Sequence, residues 1–315
     1  MNKCLYCYKK LERGNTTEFH ELCSMEFFGT KAPPALPYSF KQMTELAKDV
    51  VDRSVAVPGV QPKLSLSLVQ NTLADGKKGG LTVAGALGGN YILKPPSENY
   101  SEMPQNEHVT MRIAEASGLK TVKSSLIRLQ SGELAYITKR IDRMDTGEKI
   151  HMLDMFQITE AVDKYKSSIE KIGKTIDQYS DETLLDQLFF FELTLFSFIT
   201  GNNDMHLKNF SMINTTNKWT LAPAYDLLNV TIANPEDDEE LAITLEGKKK
   251  KLKREHFIRL AQRLGLNNKQ IEGVFYRLRE SRIKTVEWIR SSFLSPQAQR
   301  QYLMLMLERI LILRR

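Results

Sequence analysis

The sequence predicts a mixed α/β chain built as two lobes, a small β-rich one followed by a larger, mainly helical one. Three observations lead there. The 315 residues exceed the roughly 250–300 at which a single hydrophobic core stops growing. A content of 42% hydrophobic and 26% charged residues is that of an ordinary soluble globular protein. The apolar pattern also changes along the chain, from alternation between residues 55 and 94 to helical spacing after residue 144.

The elements follow in order. All three cysteines fall in the first 23 residues, as "CLYC" and "HELC", so Cys4, Cys7, His20 and Cys23 stand in a C-x2-C-x12-H-x2-C arrangement. Two close pairs of soft ligands separated by a dozen residues suit a tetrahedral zinc site, structural because four protein ligands leave no open position; the plain alternative is a set of reduced, unliganded thiols. The amino terminus "MNKCLYCYKK" has no long apolar stretch, so a cytoplasmic protein without a signal peptide is expected. "KAPPALPYSF" reads as an extended, proline-rich linker and places a boundary near residue 38, giving a first segment of 1–38.

Residues 39–143 form the expected small lobe. "SFKQMTELAKDVVDRS" has helical spacing with Ser39 placed to cap it, "KLSLSLV" alternates as a half-buried strand, and "NYILKPP" is a short strand carrying Lys94. "SEMPQNEHVTMRIAEASGL" reads as a helix stopped by Gly118, and "SSLIRL" with "ELAYITKRI" as a hairpin.

Residues 144–315 form the expected helical lobe. "SDETLLDQLFFFELTLFSFIT" is apolar nearly all round, with Ser180 as the expected N-cap and Gly201 as its end. Glu192 interrupts this run, and Glu308 with Arg309 interrupts "YLMLMLERILIL", so both are expected to be core helices rather than membrane spans. "NFSMINTTNKWTLAPAYDLL" reads as two short strands joined at "NTTNK".

Between the apolar helix and that strand pair lies the polar loop "GNNDMHLKNF". It holds Asp204, His206, Lys208 and Asn209 in D-x-H-x-K-N spacing, and Asp226 follows the second strand in "PAYDLL". Phosphoryl transfer uses a carboxylate to orient the attacking hydroxyl, oxygen ligands for Mg²⁺, and positive charge against the transferring group. The loop and Asp226 supply that set. Upstream, Lys94 can neutralise nucleotide phosphates, Glu107 can hold that lysine, and the loop around Gly59 can cover the nucleotide. Taken singly, "GNND" is also good turn chemistry, Lys94 a solvated lysine and Glu107 a helix-dipole partner. The joint order carries the reading.

These motifs, together with "SVAVPGVQPKLSL", "NEHVTMRIAEASGL" and "YITKRIDR", resemble the HipA family of toxin serine/threonine kinases from about residue 50 onward. The resemblance implies a bilobal protein-kinase-like fold, ATP and Mg²⁺ as cofactors, and growth arrest by phosphorylation of an aminoacyl-tRNA synthetase. It implies Asp204 as catalytic base, with His206 and Lys208 as catalytic phosphate contacts. Asn209 and Asp226 would be the Mg²⁺ ligands and Lys94 the ATP-phosphate lysine held by Glu107. Val57, Gly59, Val60, Gln61 and Lys63 would line the nucleotide from the loop, and Lys139, Arg140 and Ile141 would meet the adenine through their backbone.

Two departures matter. Only the Cys/His segment and one helix precede the glycine loop, which resembles the short HipT form of HipB–HipS–HipT systems. A HipS-like small protein is then an expected partner, and a HipB-like DNA-binding antitoxin an indirect one. Self-inactivating autophosphorylation before the loop would fall on Ser54, since Ala56 occupies the usual serine position; Ser65 and Ser67 are the weaker candidates. The net charge of +6 is too mild to indicate nucleic acid, and "GKKKKLKREHF" reads as a solvated face. Two other readings share features with this one: a small-molecule phosphotransferase of the aminoglycoside-kinase type, and a non-catalytic zinc or nucleic-acid binding module.

Overall fold

The computed structural model describes residues 2–53, 63–69, 80–83, 89–144 and 146–314. Ser54, Val57, Gly59, Val60 and Gln61, expected at the glycine loop, lie outside the described residues. The chain divides into two units. One comprises Met1–His108, Val122–Glu148 and Ser291–Phe293; the other comprises Val109–Thr121, Lys149–Arg290 and Leu294–Arg315.

The first unit contains α1 (Glu21–Phe28), α2 (Phe40–Arg53), β1 (Leu64–Val69), β2 (Gly80–Val83) and β3 (Tyr91–Lys94). It also holds the start of α3 (Met103–Ala116), and then β4 (Ser124–Arg128) and β5 (Leu134–Lys139). The alternation of "LSLSL" puts Leu64 and Leu66 in the core, at 1% and 0% exposure, and makes β1 an inner strand of an antiparallel sheet ordered β2-β1-β3-β5-β4. Pairing of β3 with β5 sets Lys94 opposite Tyr136. Ser39 caps α2 as expected: its hydroxyl accepts from the Gln42 amide while the Gln42 side chain accepts from the Ser39 amide. Strand β2 was not legible, because it is a four-residue segment set among glycines.

The second unit contains β6 (Met152–Asp154), α4 (Met155–Ile158), α5 (Ile169–Tyr179), α6 (Thr183–Thr200), β7 (Ser211–Thr215) and β8 (Lys218–Leu221). The remaining helices are α7 (Val230–Ala233), α8 (Arg254–Arg263), α9 (Asn268–Glu280), α10 (Arg282–Ser291) and α11 (Pro296–Ile312). Helix α6 is long and apolar enough to span a bilayer by composition, yet 72% of it is buried within the protein, as a core helix is. Its start differs from expectation. Ser180 ends α5 instead, and α6 begins after Glu182, because the Ser180 hydroxyl donates to Asp186 at 2.6 Å and accepts from the Glu182 amide at 3.0 Å. Helix α11 also differs: Tyr302, Met306 and Ile310 are buried, but Met304, Leu307 and Leu311 are exposed, so it packs by one face only.

Strands β6-β7-β8 form a small antiparallel sheet. Its β7–β8 hairpin turns at Thr216–Asn217, both at positive φ (54° and 60°), as a two-residue turn of right-handed strands demands. The basic run lies against acids that precede it in sequence: Lys249 meets Glu239 at 3.0 Å, Lys250 pairs with Asp238, and Leu252 turns inward.

Gly201 ends α6 at φ 69°, and its amide and that of Asn202 return to the Phe198 and Ser197 carbonyls. An added Cβ would stand 2.4 Å from the Leu305 side chain and 2.9 Å from the Thr231 hydroxyl. Gly201→Ala is therefore expected to cost about 2–4 kcal/mol, the sum of left-handed strain and overpacking, read as a lowered urea midpoint.

Candidate active site

Within the first unit, Lys94 and Glu107 form an ion pair of 2.6 Å with side chains 4% and 2% exposed. Strand β3 delivers the lysine inward at its last position, and α3 presents the glutamate in its second turn. An ammonium so buried persists only with a charge partner. The Tyr136 ring, opposite Lys94 across the sheet, lies 5.4 Å from the ammonium and adds its π face. At the end of β5, the Lys139 and Arg140 amides already donate to the Lys123 and Asn90 carbonyls, which fixes the course of the backbone into Ile141. Arg140 grips Asp142 in bidentate fashion at 2.8 and 2.6 Å, and Arg143 adds a second guanidinium. Burial works to raise the Asp142 pKa, but these guanidinium bonds and charges outweigh it and hold the carboxyl below its ordinary range. Lys63 is exposed just before β1.

Within the second unit, the loop after Gly201 is held by its own polar atoms. The Asn209 side-chain NH₂ donates to the Asp204 carbonyl at 3.1 Å, spending a donor and leaving the amide oxygen as the group a cation could take. The His206 amide donates to the same carbonyl at 2.8 Å, and a single turn of 3-10 helix at Leu207–Asn209 follows. The Asp204 carboxylate remains 43% exposed, with His206 Nε2 4.0 Å from its Oδ1. Lys208 sends its ammonium over the Phe156 ring at 4.7 Å, where its charge acts on the carboxyl of Asp154.

Two residues that the sequence gave no reason to select complete this arrangement. Tyr165 donates from its hydroxyl to Asp204 Oδ1 at 2.8 Å and lies edge-on to His206, with ring centroids 5.0 Å apart. Burial, followed by the Asp204 charge, pushes the Tyr165 pKa up, so the phenol stays a donor. Tyr225 donates to the Lys208 carbonyl at 2.9 Å and bonds Ser211 at 2.5 Å. It ties the residue before Asp226 to the loop that carries Asp204 and Asn209. Asp226 itself sits at φ 61°, a left-handed conformation that Asp tolerates better than most residues. No periodicity or spacing marks a tyrosine 39 residues before its partner, which is why Tyr165 was missed.

A five-stranded antiparallel sheet with a buried strand-lysine to helix-glutamate pair, and a polar loop between a buried helix and a hairpin, define a protein-kinase-like fold. The sequence profile of the HipA-like C-terminal domain matches residues 55–286, and the chain belongs to that family. A putative kinase of Haemophilus influenzae is 30% identical over 251 residues, which cover 73% of this chain and 69% of that protein. The serine/threonine-protein kinase toxin HipA of Shewanella oneidensis is 26% identical over 213 residues, covering 61% and 47% respectively. Across the curated relatives it matches, the chain thus spans between 46% and 69% of their length. Among solved structures, Shewanella HipA in complex with HipB and its operator DNA aligns with a TM-score of 0.66 at 22% identity, covering 81% of this chain and 64% of that one. The Helicobacter pylori proinflammatory kinase CtkA aligns at 0.51 and 17% identity, covering 70% and 86%. The family is one of kinases.

Lys94→Met, which removes the ammonium 2.6 Å from the buried Glu107 carboxylate, is expected to cost about 3–5 kcal/mol of unfolding free energy. Lys94→Met with Glu107→Leu should cost much less than the two single losses combined, as a double-mutant cycle in urea would measure. The depressed pKa of Asp142 gives a signed pH dependence. Its contribution is present above the unfolded carboxyl value of about 4 and is lost as pH falls through the lower folded value. Asp142→Asn should flatten that acid limb in a plot of unfolding free energy against pH.

Proposed function

We propose that this chain is an ATP-dependent protein serine/threonine kinase that acts as the toxin of a toxin–antitoxin system. The observation that carries the proposal is the buried Lys94–Glu107 pair, in a chain whose relatives are kinases. A lysine held this rigidly can bind nucleotide phosphates as a fixed positive point, which is how kinases use a strand lysine paired to a helix glutamate. Asp204 keeps an exposed carboxylate that Tyr165 orients through Oδ1, and this carboxylate would align a serine or threonine hydroxyl and accept its proton.

The residues present suit Mg²⁺. The Asn209 amide oxygen and the Asp226 carboxylate are hard oxygen donors, and Tyr225 holds the two segments that bear them together. Mg²⁺, when bound, would neutralise charge on the phosphates. His206 and Lys208 add donors on the same loop, and the Lys139–Ile141 backbone would read the adenine edge. Val57, Gly59, Val60, Gln61 and Lys63 would cover the nucleotide, with Ser54 the site of self-inhibiting autophosphorylation.

The finer readings rest on the family. An aminoacyl-tRNA synthetase is the proposed substrate, and a HipS-like small protein the proposed companion. The Shewanella relative's complex with HipB and operator DNA supports a HipB-like antitoxin as a further partner. Incubated with labelled ATP and Mg²⁺, the purified chain should label itself or a co-expressed protein, and Asp204→Asn should reduce this by at least about 100-fold with ATP binding retained. Equal labelling by wild type and variant would sink the reading. Phosphoproteomics of cells briefly expressing each form would identify the substrate.

A further inference from the structure

The kinase reading leaves the amino-terminal segment without a task, yet that segment gathers four metal-ligating side chains in the first unit. One ligand atom from each of Cys4, Cys7, His20 and Cys23 lies within 4.8 Å of every other. The His20 Nδ1 stands 3.4 Å from Cys7 Sγ and 3.8 Å from Cys23 Sγ. A tetrahedron with zinc bonds of about 2.0–2.3 Å has edges of about 3.3–3.8 Å, and both His20–sulfur distances fall in that range. The histidine is also preset. Its Nε2 lies 3.1 Å from the Lys10 carbonyl, which can only accept, so Nε2 carries the proton and the unprotonated Nδ1 faces the side of the sulfurs.

Both halves of the cluster are shaped by backbone. His20 precedes α1 and Cys23 lies in its first turn, while Cys4 and Cys7 flank a tight turn closed by the Tyr8 amide on the Cys4 carbonyl at 2.9 Å. That turn forces Tyr8 to φ 63°, a conformation a bulky side chain adopts only when its surroundings impose it. The Tyr8 hydroxyl bonds Nδ1 of His108 at 2.8 Å, buried, and its ring packs edge-on to His108 and Phe293 at 5.2 and 5.4 Å. His108 is the residue after Glu107 on α3. Every group in this chain of contacts belongs to the first unit.

We propose that Cys4, Cys7, Cys23 and Nδ1 of His20 hold one Zn²⁺ in a closed site, and that this metal fixes Tyr8 beneath α3 as the support of Glu107. Each thiol gives its proton to solvent as its sulfur bonds the metal, and three thiolates with one neutral imidazole select zinc over harder cations. Tyr8 is a positioning residue: it touches neither nucleotide nor reacting atoms, and acts through His108 on the helix that presents Glu107. The significance of that support for phosphate binding rests on the kinase reading, whereas the metal and the coupling do not.

The full-length chain, purified under reducing conditions without chelator, should contain one zinc per chain by elemental mass spectrometry. Replacement by Co²⁺ should give the visible bands of a tetrahedral thiolate site. Cys23→Ser should weaken zinc retention by at least about tenfold against a chromophoric chelator. Iron in place of zinc, metal far below one per chain, or a Cys4–Cys7 disulfide in the alkylated protein would overturn the site. The coupling is read by hydrogen exchange: Tyr8→Phe should keep its zinc while the α3 amides around Asn106–Thr110 exchange about fivefold faster, the effect of one lost buried hydrogen bond. Unchanged exchange in Tyr8→Phe, and in wild type stripped of metal, would overturn the coupling. Neither measurement uses ATP, so both stand or fall apart from any loss of phosphoryl transfer.

Discussion

The buried ion pair between Lys94 and Glu107 is the constraint around which the first unit is arranged. Two charges at 4% and 2% exposure give up nearly all their hydration, and a 2.6 Å contact offsets that cost only while strand and helix hold still. The sheet satisfies the first condition by flanking β3 with β1 and β5 on both edges. The second depends on what packs against the start of α3, and there the tyrosine turn of the amino-terminal segment meets His108. A segment remote in sequence from the lysine is thereby placed in the structure that positions it.

The second unit solves a different problem, that of keeping a polar loop fixed beside an apolar helix. Helix α6 supplies a rigid base through Phe190, Phe191, Phe196 and Phe198, all within 2% of full burial. Gly201 lets the chain leave that base abruptly, and the Asp204 carbonyl of the loop then accepts from both the Asn209 side chain and the His206 amide. Two tyrosines lock it from outside, one on the Asp204 carboxylate and one on the Lys208 carbonyl. Exposed chemistry on a preorganised backbone costs little reorganisation when a substrate arrives.

The charged surface follows the same economy. The lysines of 248–251 look like an anion-binding patch when read alone, but Asp238 and Glu239 pair with Lys250 and Lys249, and Glu240 reaches Arg309 of α11 at 2.6 Å. Formal charge in a sequence window is a poor guide once a neighbouring window of opposite sign packs against it.

Local chemistry was legible wherever a residue's role is set by its near neighbours. The Ser39 cap, the alternation of β1, the β4–β5 hairpin, the glycine end of α6 and the turn between β7 and β8 all follow from propensities within a few residues. The order of Lys94, Glu107, Asp204, Asn209 and Asp226, and the Cys/His spacing, could be read as well, because chemistry demands particular residue types. The sequence could not show the start of α6, where Ser180 is recruited by Asp186 instead of by the next helix, nor the half-exposed packing of α11. Short β2 and β6 were hidden because three or four residues carry too little pattern, and Tyr165, Tyr225 and Tyr8 because their partners lie 39, 17 and 100 residues away. The sequence by itself determined which groups are present and in what order. Only the tertiary structure decided which of them are buried together, because burial and hydrogen bonding over long separations depend on the packing of whole elements.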